Sequence, residues 1–218
     1  MTHPINKECV ILLHGLARSS GSMEKMATAL RQAGYDVINI DYPSRSQPIE
    51  TLAECAIGEA LAQCHGKSVS FVTHSMGGIL VRQYLSQHTI ENLNRVVMLG
   101  PPNKGTEIVD KLAHVPGFHF INGDAGLQLG TSQLSVPNRL GKANFDVGII
   151  AGTQSVNWLL SSLIPDTDDG KVSVESTKVD GMNDHIEMPT THVFMMRNDA
   201  VIEQVLYYLK QGEFHHYI

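Results

Sequence analysis

The sequence predicts an α/β fold built on a mostly parallel central sheet of about six strands with helices on both faces. Three observations predict it: apolar runs of strand length alternate with amphipathic segments at helical spacing, several of the runs end in glycine or proline, and the alternation continues to the C-terminus. Right-handed crossovers between parallel strands then place a helix on one face or the other. At 218 residues, 42% of them hydrophobic, the chain suits a single domain with a substantial core.

The elements follow in order. "CVILLHG" (9–15) is a continuous apolar run, as expected of a strand covered on both faces. Met23, Met26, Ala27 and Leu30 fall on one helical face, and Gly34 can end that helix in a left-handed conformation. "YDVINIDYP" (35–43) is the second strand. Ile49, Leu52, Ala53, Ala56, Ile57, Ala60, Leu61 and Cys64 mark a helix between Pro48 and Gly66. "SVSFVTHS" (68–75) is a third strand, "GILVRQYLSQH" (78–88) a helix, and "RVVMLGPP" (95–102) a fourth strand stopped by prolines. "FDVGIIAGT" (145–153) and "DHIEMPTT" (184–191) supply the fifth and sixth strands, and Val201, Ile202, Val205, Leu206 and Leu209 a last helix before Gly212. Between them, 103–143 reads as a lid-like excursion, too small for a large cap domain, with a short amphipathic segment from Thr106 to Leu112.

Charge and cysteine content narrow the function. A net charge of −6 without a basic stripe argues against a nucleic-acid partner. The short apolar run near the N-terminus resembles neither a signal segment nor a membrane span, so no stable membrane insertion and a cytoplasmic location are expected. Cys9, Cys55 and Cys64 have no metal-ligand spacing and read as buried free thiols. No pair of the 11 histidines has metal spacing on a helix, so no metal site is expected, and the serine chemistry read below requires no cofactor.

In parallel sheets, functional groups gather at the carboxyl ends of the strands. "THSMGG" (73–78) lies at such an end. A serine at a sharp strand-to-helix turn, with small residues beside it, is a nucleophile elbow of the G-x-S-x-G kind. Gly77 matches the second glycine and Thr73 departs from the first. The alternative is that Ser75 merely caps the following helix. His14-Gly15-Leu16 follows the first strand, where the N–H of Leu16 can oppose that of Met76 as an oxyanion-binding pair. "PDTDDGKVSVES" (165–176) follows the fifth strand and "PTTHVFMM" (189–196) the sixth, so serine, aspartate and histidine occur in the chain order of α/β-hydrolases.

On "LLHGL" (12–16), "HSMGG" (74–78), "GPPNKGTEIVD" (100–110), "DDGKVSVES" (168–176) and His192, nearly the whole chain resembles the α/β-hydrolase superfamily, and within it the small bacterial lipases and esterases. The resemblance implies Ser75 as nucleophile, Asp169 as acid, His192 as base and the N–H groups of Leu16 and Met76 as oxyanion donors. Asp168 is the near rival of Asp169, and His185 of His192. His14 reads as structural, and His215 and His216 as part of a surface tail. His74 and Trp158 are candidate substrate contacts, although the apolar set of "SVNWLLSSLIP" (155–165) could equally belong to the core. The expected activity is cleavage of carboxylic esters, small or lipid-like. Alternatives are a thioesterase or amidase with the same residues, or a catalytically silent binding scaffold.

Overall fold

A computed structural model describes residues 8–156 and 158–216, apart from the side chains of Trp158 and Leu159. The contact expected of the Trp158 side chain therefore lies outside the described residues.

Six parallel strands form one sheet: β1 (Cys9–Leu13), β2 (Asp36–Ile40), β3 (Val69–His74), β4 (Leu93–Leu99), β5 (Val147–Gly152) and β6 (Asp184–Met188), in the order β2-β1-β3-β4-β5-β6. The helices are α1 (Glu24–Gln32), α2 (Ile49–Gln63), α3 (Met76–Gln87), α4 (Glu107–Leu112), α5 (Phe118–Leu127), α6 (Val136–Arg139), α7 (Trp158–Ser161), α8 (Val174–Thr177) and α9 (Asp199–Gln211). The expected α/β-hydrolase architecture is thus observed, with no cap domain among the described residues. No helix among the described residues is long and apolar enough to cross a membrane.

Strand alternation divides the core. Cys9, Ile11, Leu13, Phe71, Met98 and Ile149 face α2 and α3, whereas Val10, Leu12, Val72, Val97, Leu99 and Ile150 face α1 and α9. Because both faces are covered, every residue of β1, β3 and β5 is buried, which is why these strands read as continuous apolar runs.

The chain runs outward from β1 to β2, then returns across β1 to β3. This reversal makes the carboxyl ends of β1 and β3 the topological switch point, where sites form in open α/β sheets. The loop after β1 and the turn after β3 are neighbours for that reason, with Leu13 paired to Thr73.

The excursion at 103–143 carries α4, α5 and α6 and is tied down at both ends by Arg82 of α3. Its buried guanidinium donates to the carbonyls of Asn103, Pro137 and Gly141 and to Asn103 Oδ1. Four neutral acceptors and no carboxylate surround it, and burial lowers its pKa to about 10.

The cysteine expectation needs correction. Cys9 and Cys64 are joined by a disulfide across a Cα–Cα distance of 5.7 Å, and Cys55 is free but exposed. Cys9 opens β1 and Cys64 caps α2, so only the packing of α2 on the sheet brings them together.

Candidate active site

Ser75 sits between the last residue of β3 and the first of α3 with φ 53 and ψ −122, a region a residue with a side chain enters only when its surroundings force it. Such conformations cost about 1–3 kcal/mol and concentrate at functional sites. The crowding that forces the turn is visible at its neighbours. A Cβ on Gly77 would lie 2.7 Å from the Leu13 carbonyl oxygen, and one on Gly15 would lie 2.8 Å from His74 Nδ1 and 3.1 Å from Ser75 Cβ. The β1 loop therefore passes directly against the elbow, and both positions require glycine. Thr73, where the pattern has its first glycine, is accommodated as a buried strand residue.

The serine makes no capping hydrogen bond to α3. Its Oγ lies 3.0 Å from His192 Nε2 instead. On the far side of the imidazole, Nδ1 lies 2.7 Å from Asp169 Oδ2, while Oδ1 of the same carboxylate accepts from the N–H groups of Lys171 (3.0 Å) and Val172 (2.9 Å). Since the carboxylate only accepts, Nδ1 carries the proton and Nε2 presents a lone pair to the serine hydroxyl. Asp169 and His192 are buried and Ser75 is half-buried, so the hydroxyl is the part of the array open to a substrate.

Three loops converge to hold this geometry. The His192 N–H donates to the Asp169 carbonyl at 2.8 Å, which couples the loop after β6 to the acid loop. Gly152, ending β5, has Asp169 Cβ 2.8 Å from where its own Cβ would be. Gly100, just after β4, has φ +53, and a Cβ there would sit 2.9 Å from Asp169 Oδ2 and 3.2 Å from His192 Nδ1. Sequence reading took the end of this strand as a proline stop and missed Gly100; the signal was a glycine at a strand end one position before the prolines.

The rival residues are occupied elsewhere. Asp168 Oδ1 accepts from Ser161 Oγ (2.7 Å) and the Gly170 N–H (2.6 Å). His185 lies within β6, its Nε2 3.0 Å from Thr177 Oγ1. His14 is fully buried and stacked on Tyr42, with Nδ1 2.9 Å from the Gly15 carbonyl oxygen. His215 and His216 are exposed.

His74 is placed differently from a substrate contact. It is 2% exposed, and its ring lies behind that of His192, centroids 4.8 Å apart. Its Nε2–H donates to the His192 carbonyl at 2.8 Å, and Nδ1 is buried without a partner. Burial first, and then the neighbouring His192, push its pKa well below the ordinary 6.5, so it stays neutral. Among the described residues, no group of three or more His, Cys, Asp or Glu side chains is placed to hold a metal ion.

The N–H groups of Leu16 and Met76 flank the switch point, Met76 at the first position of α3, where the peptide N–H has no intrahelical acceptor. An array of this kind can transfer a proton from a hydroxyl to an imidazole and stabilise the resulting charge on both sides.

Comparison with known proteins agrees with this architecture. The family model for the alpha/beta hydrolase fold matches residues 8–118. Lipase BlEst2 of Bacillus licheniformis, in its mature form, is structurally similar at 20% identity and a TM-score of 0.74, covering 96% of this chain and 94% of that one. Aspergillus fumigatus lipase B is similar at 17% identity and a TM-score of 0.69 (95% of this chain, 54% of that one). A metagenomic carboxyl esterase follows at 15% identity and a TM-score of 0.65 (89% and 67%). No curated protein sequence matches. With half of its length matched by the family model and the expected sheet in place, the chain belongs to the α/β-hydrolase family.

Proposed function

We propose that this hydrolase cleaves carboxylic esters through an acyl-enzyme on Ser75. The observation that carries the reading is the continuous chain from Ser75 Oγ through His192 to Asp169, at 3.0 and 2.7 Å. As Ser75 attacks an acyl carbon, its proton passes to His192 Nε2, and Asp169 holds the ring in the required tautomer while stabilising the imidazolium. The tetrahedral oxyanion is received by the N–H groups of Leu16 and Met76. Loss of one such donor costs about 2.7–4 kcal/mol of transition-state stabilisation. The imidazolium then protonates the leaving alcohol, and water, activated by the same His192, hydrolyses the acyl-enzyme. No cofactor takes part in these steps.

Exposed apolar side chains support a substrate with lipid-like character. Phe194 follows His192 by two residues and is 56% exposed, and Phe120 on α5 is 88% exposed. The segment after the break at Gly123 (φ 64, ψ −170) that follows Phe120 packs against the β1 loop, where a Cβ on Gly126 would lie 3.1 Å from Leu16 Cδ2. The compartment is best read from the Cys9–Cys64 bridge, which favours an oxidising environment over the cytoplasm expected from the sequence.

Hydrolysis of p-nitrophenyl butyrate tests the proposal. Wild-type protein should turn it over, and Ser75→Ala should lower kcat by on the order of 10⁶. Turnover that survives in Ser75→Ala would overturn it, and a folded wild type silent towards esters and thioesters would favour the scaffold alternative.

A further inference from the structure

The peptide between Gly15 and Leu16 is held from one side only. Its bond is trans, so its carbonyl and its N–H point in opposite directions. The carbonyl oxygen lies 2.9 Å from His14 Nδ1, while no acceptor among the described residues is bonded to the Leu16 N–H. The same peptide starts at an α-carbon pressed on the elbow, since a Cβ on Gly15 would stand 3.1 Å from Ser75 Cβ.

The surroundings of His14 decide which of its nitrogens carries the proton. The ring is fully buried, and burial, as the largest cause, holds its pKa below 6.5, so it is neutral. Its Nε2 accepts from the Tyr42 N–H at 3.3 Å. The proton therefore sits on Nδ1, which donates to the Gly15 carbonyl. Asp41 Oδ1, 3.4 Å from Nε2 on a largely exposed side chain, favours the other tautomer. That tautomer would set two N–H groups against each other at Nε2 and two lone pairs against each other at Nδ1. Tyr42 fixes the ring further, stacking on it with centroids 4.0 Å apart and 12° between the planes, and its phenol donates to the His14 carbonyl. One residue past Leu16, the Ala17 N–H donates to Ser44 Oγ at 3.0 Å. The loop after β2 thus grips the loop after β1 on both sides of Leu16 and leaves that N–H free.

We propose that His14 is a positioning residue for the reaction: by holding the Gly15 carbonyl it aims the Leu16 N–H of the same peptide at the oxygen of an acyl carbon attacked by Ser75. This rests on the serine-hydrolase reading above, in which Leu16 supplies an oxyanion donor. A hydrogen bond at the carbonyl end also polarises the peptide and makes its N–H a better donor. Donors fixed in advance act strongly because they need no reorientation as the charge develops.

The test uses the two amides that match the two ring nitrogens. His14→Asn brings its amide near the place of Nδ1 and still reaches the Gly15 carbonyl, whereas His14→Gln brings it near the place of Nε2 and leaves that carbonyl without its donor. With p-nitrophenyl butyrate, kcat per Ser75 labelled by a fluorophosphonate should fall about 10- to 100-fold in His14→Gln with KM little changed, and His14→Asn should recover most of the loss. Hexyl trifluoromethyl ketone reads the oxyanion itself: Ser75 Oγ adds to its carbonyl carbon, the serine proton passes to His192, and the carbonyl π pair becomes the oxyanion. Its inhibition constant should rise in His14→Gln by a factor similar to the loss in kcat. A residue that only supported the fold would lower the urea midpoint and the number of labelled sites, and would leave those two quantities unmoved. Wild-type kcat and ketone affinity in His14→Gln, or equal losses in the Gln and Asn variants, would overturn the proposal. If neither variant folds, Tyr42→Phe decides, because it removes the phenol that holds the His14 carbonyl and keeps the stacked ring: parallel losses of several-fold support the positioning role and wild-type values overturn it. If wild-type protein hydrolyses no ester and a fluorophosphonate leaves Ser75 unlabelled, the serine-hydrolase reading falls and the positioning role falls with it.

Discussion

Gly100→Ala places a methyl group against the bond that holds the base. The new Cβ would stand 2.9 Å from Asp169 Oδ2, 3.1 Å from Met195 Sδ and 3.2 Å from His192 Nδ1, all closer than ordinary carbon contacts. None of the three can retreat into solvent, since Asp169 is 1% exposed, His192 3% and Met195 fully buried. At φ +53 the substitution also incurs left-handed strain of about 1–2 kcal/mol. Forcing these buried groups apart adds about 1–3 kcal/mol of overpacking, and the kinetic loss should be large, because a base displaced by about 1 Å loses on the order of 10²-fold in rate. Gly34→Ala separates the two effects: at φ +97 it carries similar strain, but nothing lies within 4 Å of its Cβ position. Urea unfolding should show backbone strain in both variants with about 1–3 kcal/mol more lost in Gly100→Ala, where buried groups must move, and p-nitrophenyl butyrate kinetics should show a rate loss in Gly100→Ala alone. A folded Gly100→Ala enzyme with wild-type kcat would refute the claim that the Asp169–His192 contact governs turnover.

The two adjacent aspartates make a second test. Asp169→Asn should cost on the order of 10⁴ in kcat by spoiling the imidazole tautomer. Asp168→Asn weakens hydrogen bonds to Ser161 and Gly170, so roughly 1–3 kcal/mol of stability should be lost while kcat stays close to wild type. Equal kinetic losses would contradict the assignment. Acid should destabilise the fold through His14, His74 and His185, whose pKa values all lie below 6.5, with burial the leading cause in each. Below that pH the unfolded chain binds protons that the native one refuses. Stability should hold above pH 6.5 and fall beneath it, by up to about 1.4 kcal/mol per pH unit for each histidine. Urea midpoints unchanged between pH 7 and 5 would contradict this. Reducing the Cys9–Cys64 bridge, whose partners are 55 residues apart, should cost about 4 kcal/mol by freeing the unfolded chain. A urea midpoint insensitive to dithiothreitol would count against the bridge.

What was legible in the sequence follows from how local each signal is. Buried parallel strands must be apolar throughout, so "CVILL" and "VGIIAG" announced β1 and β5 directly. Ser75 was legible because the elbow demands Gly77, whose Cβ would strike the backbone of Leu13. Asp169 and His192 could be placed at strand ends, but the choice of Asp169 over Asp168 depends on one residue of register in a loop, fixed by the N–H groups of Lys171 and Val172. The disulfide was hidden because Cys9 and Cys64 meet only after α2 docks on the sheet. His74 was misjudged for a related reason. Its neighbour in space is His192, 118 positions away, and the direction of its ring is set by the turn at Ser75.

The most direct measurement is mass spectrometry of the protein after exposure to diethyl p-nitrophenyl phosphate, with the rate of adduct formation followed in wild type and His192→Ala. One adduct should form per chain, on Ser75, and its formation should be slowed by on the order of 10³-fold or more without the imidazole. An adduct elsewhere, or a Ser75 adduct that forms as fast without His192, would contradict the account.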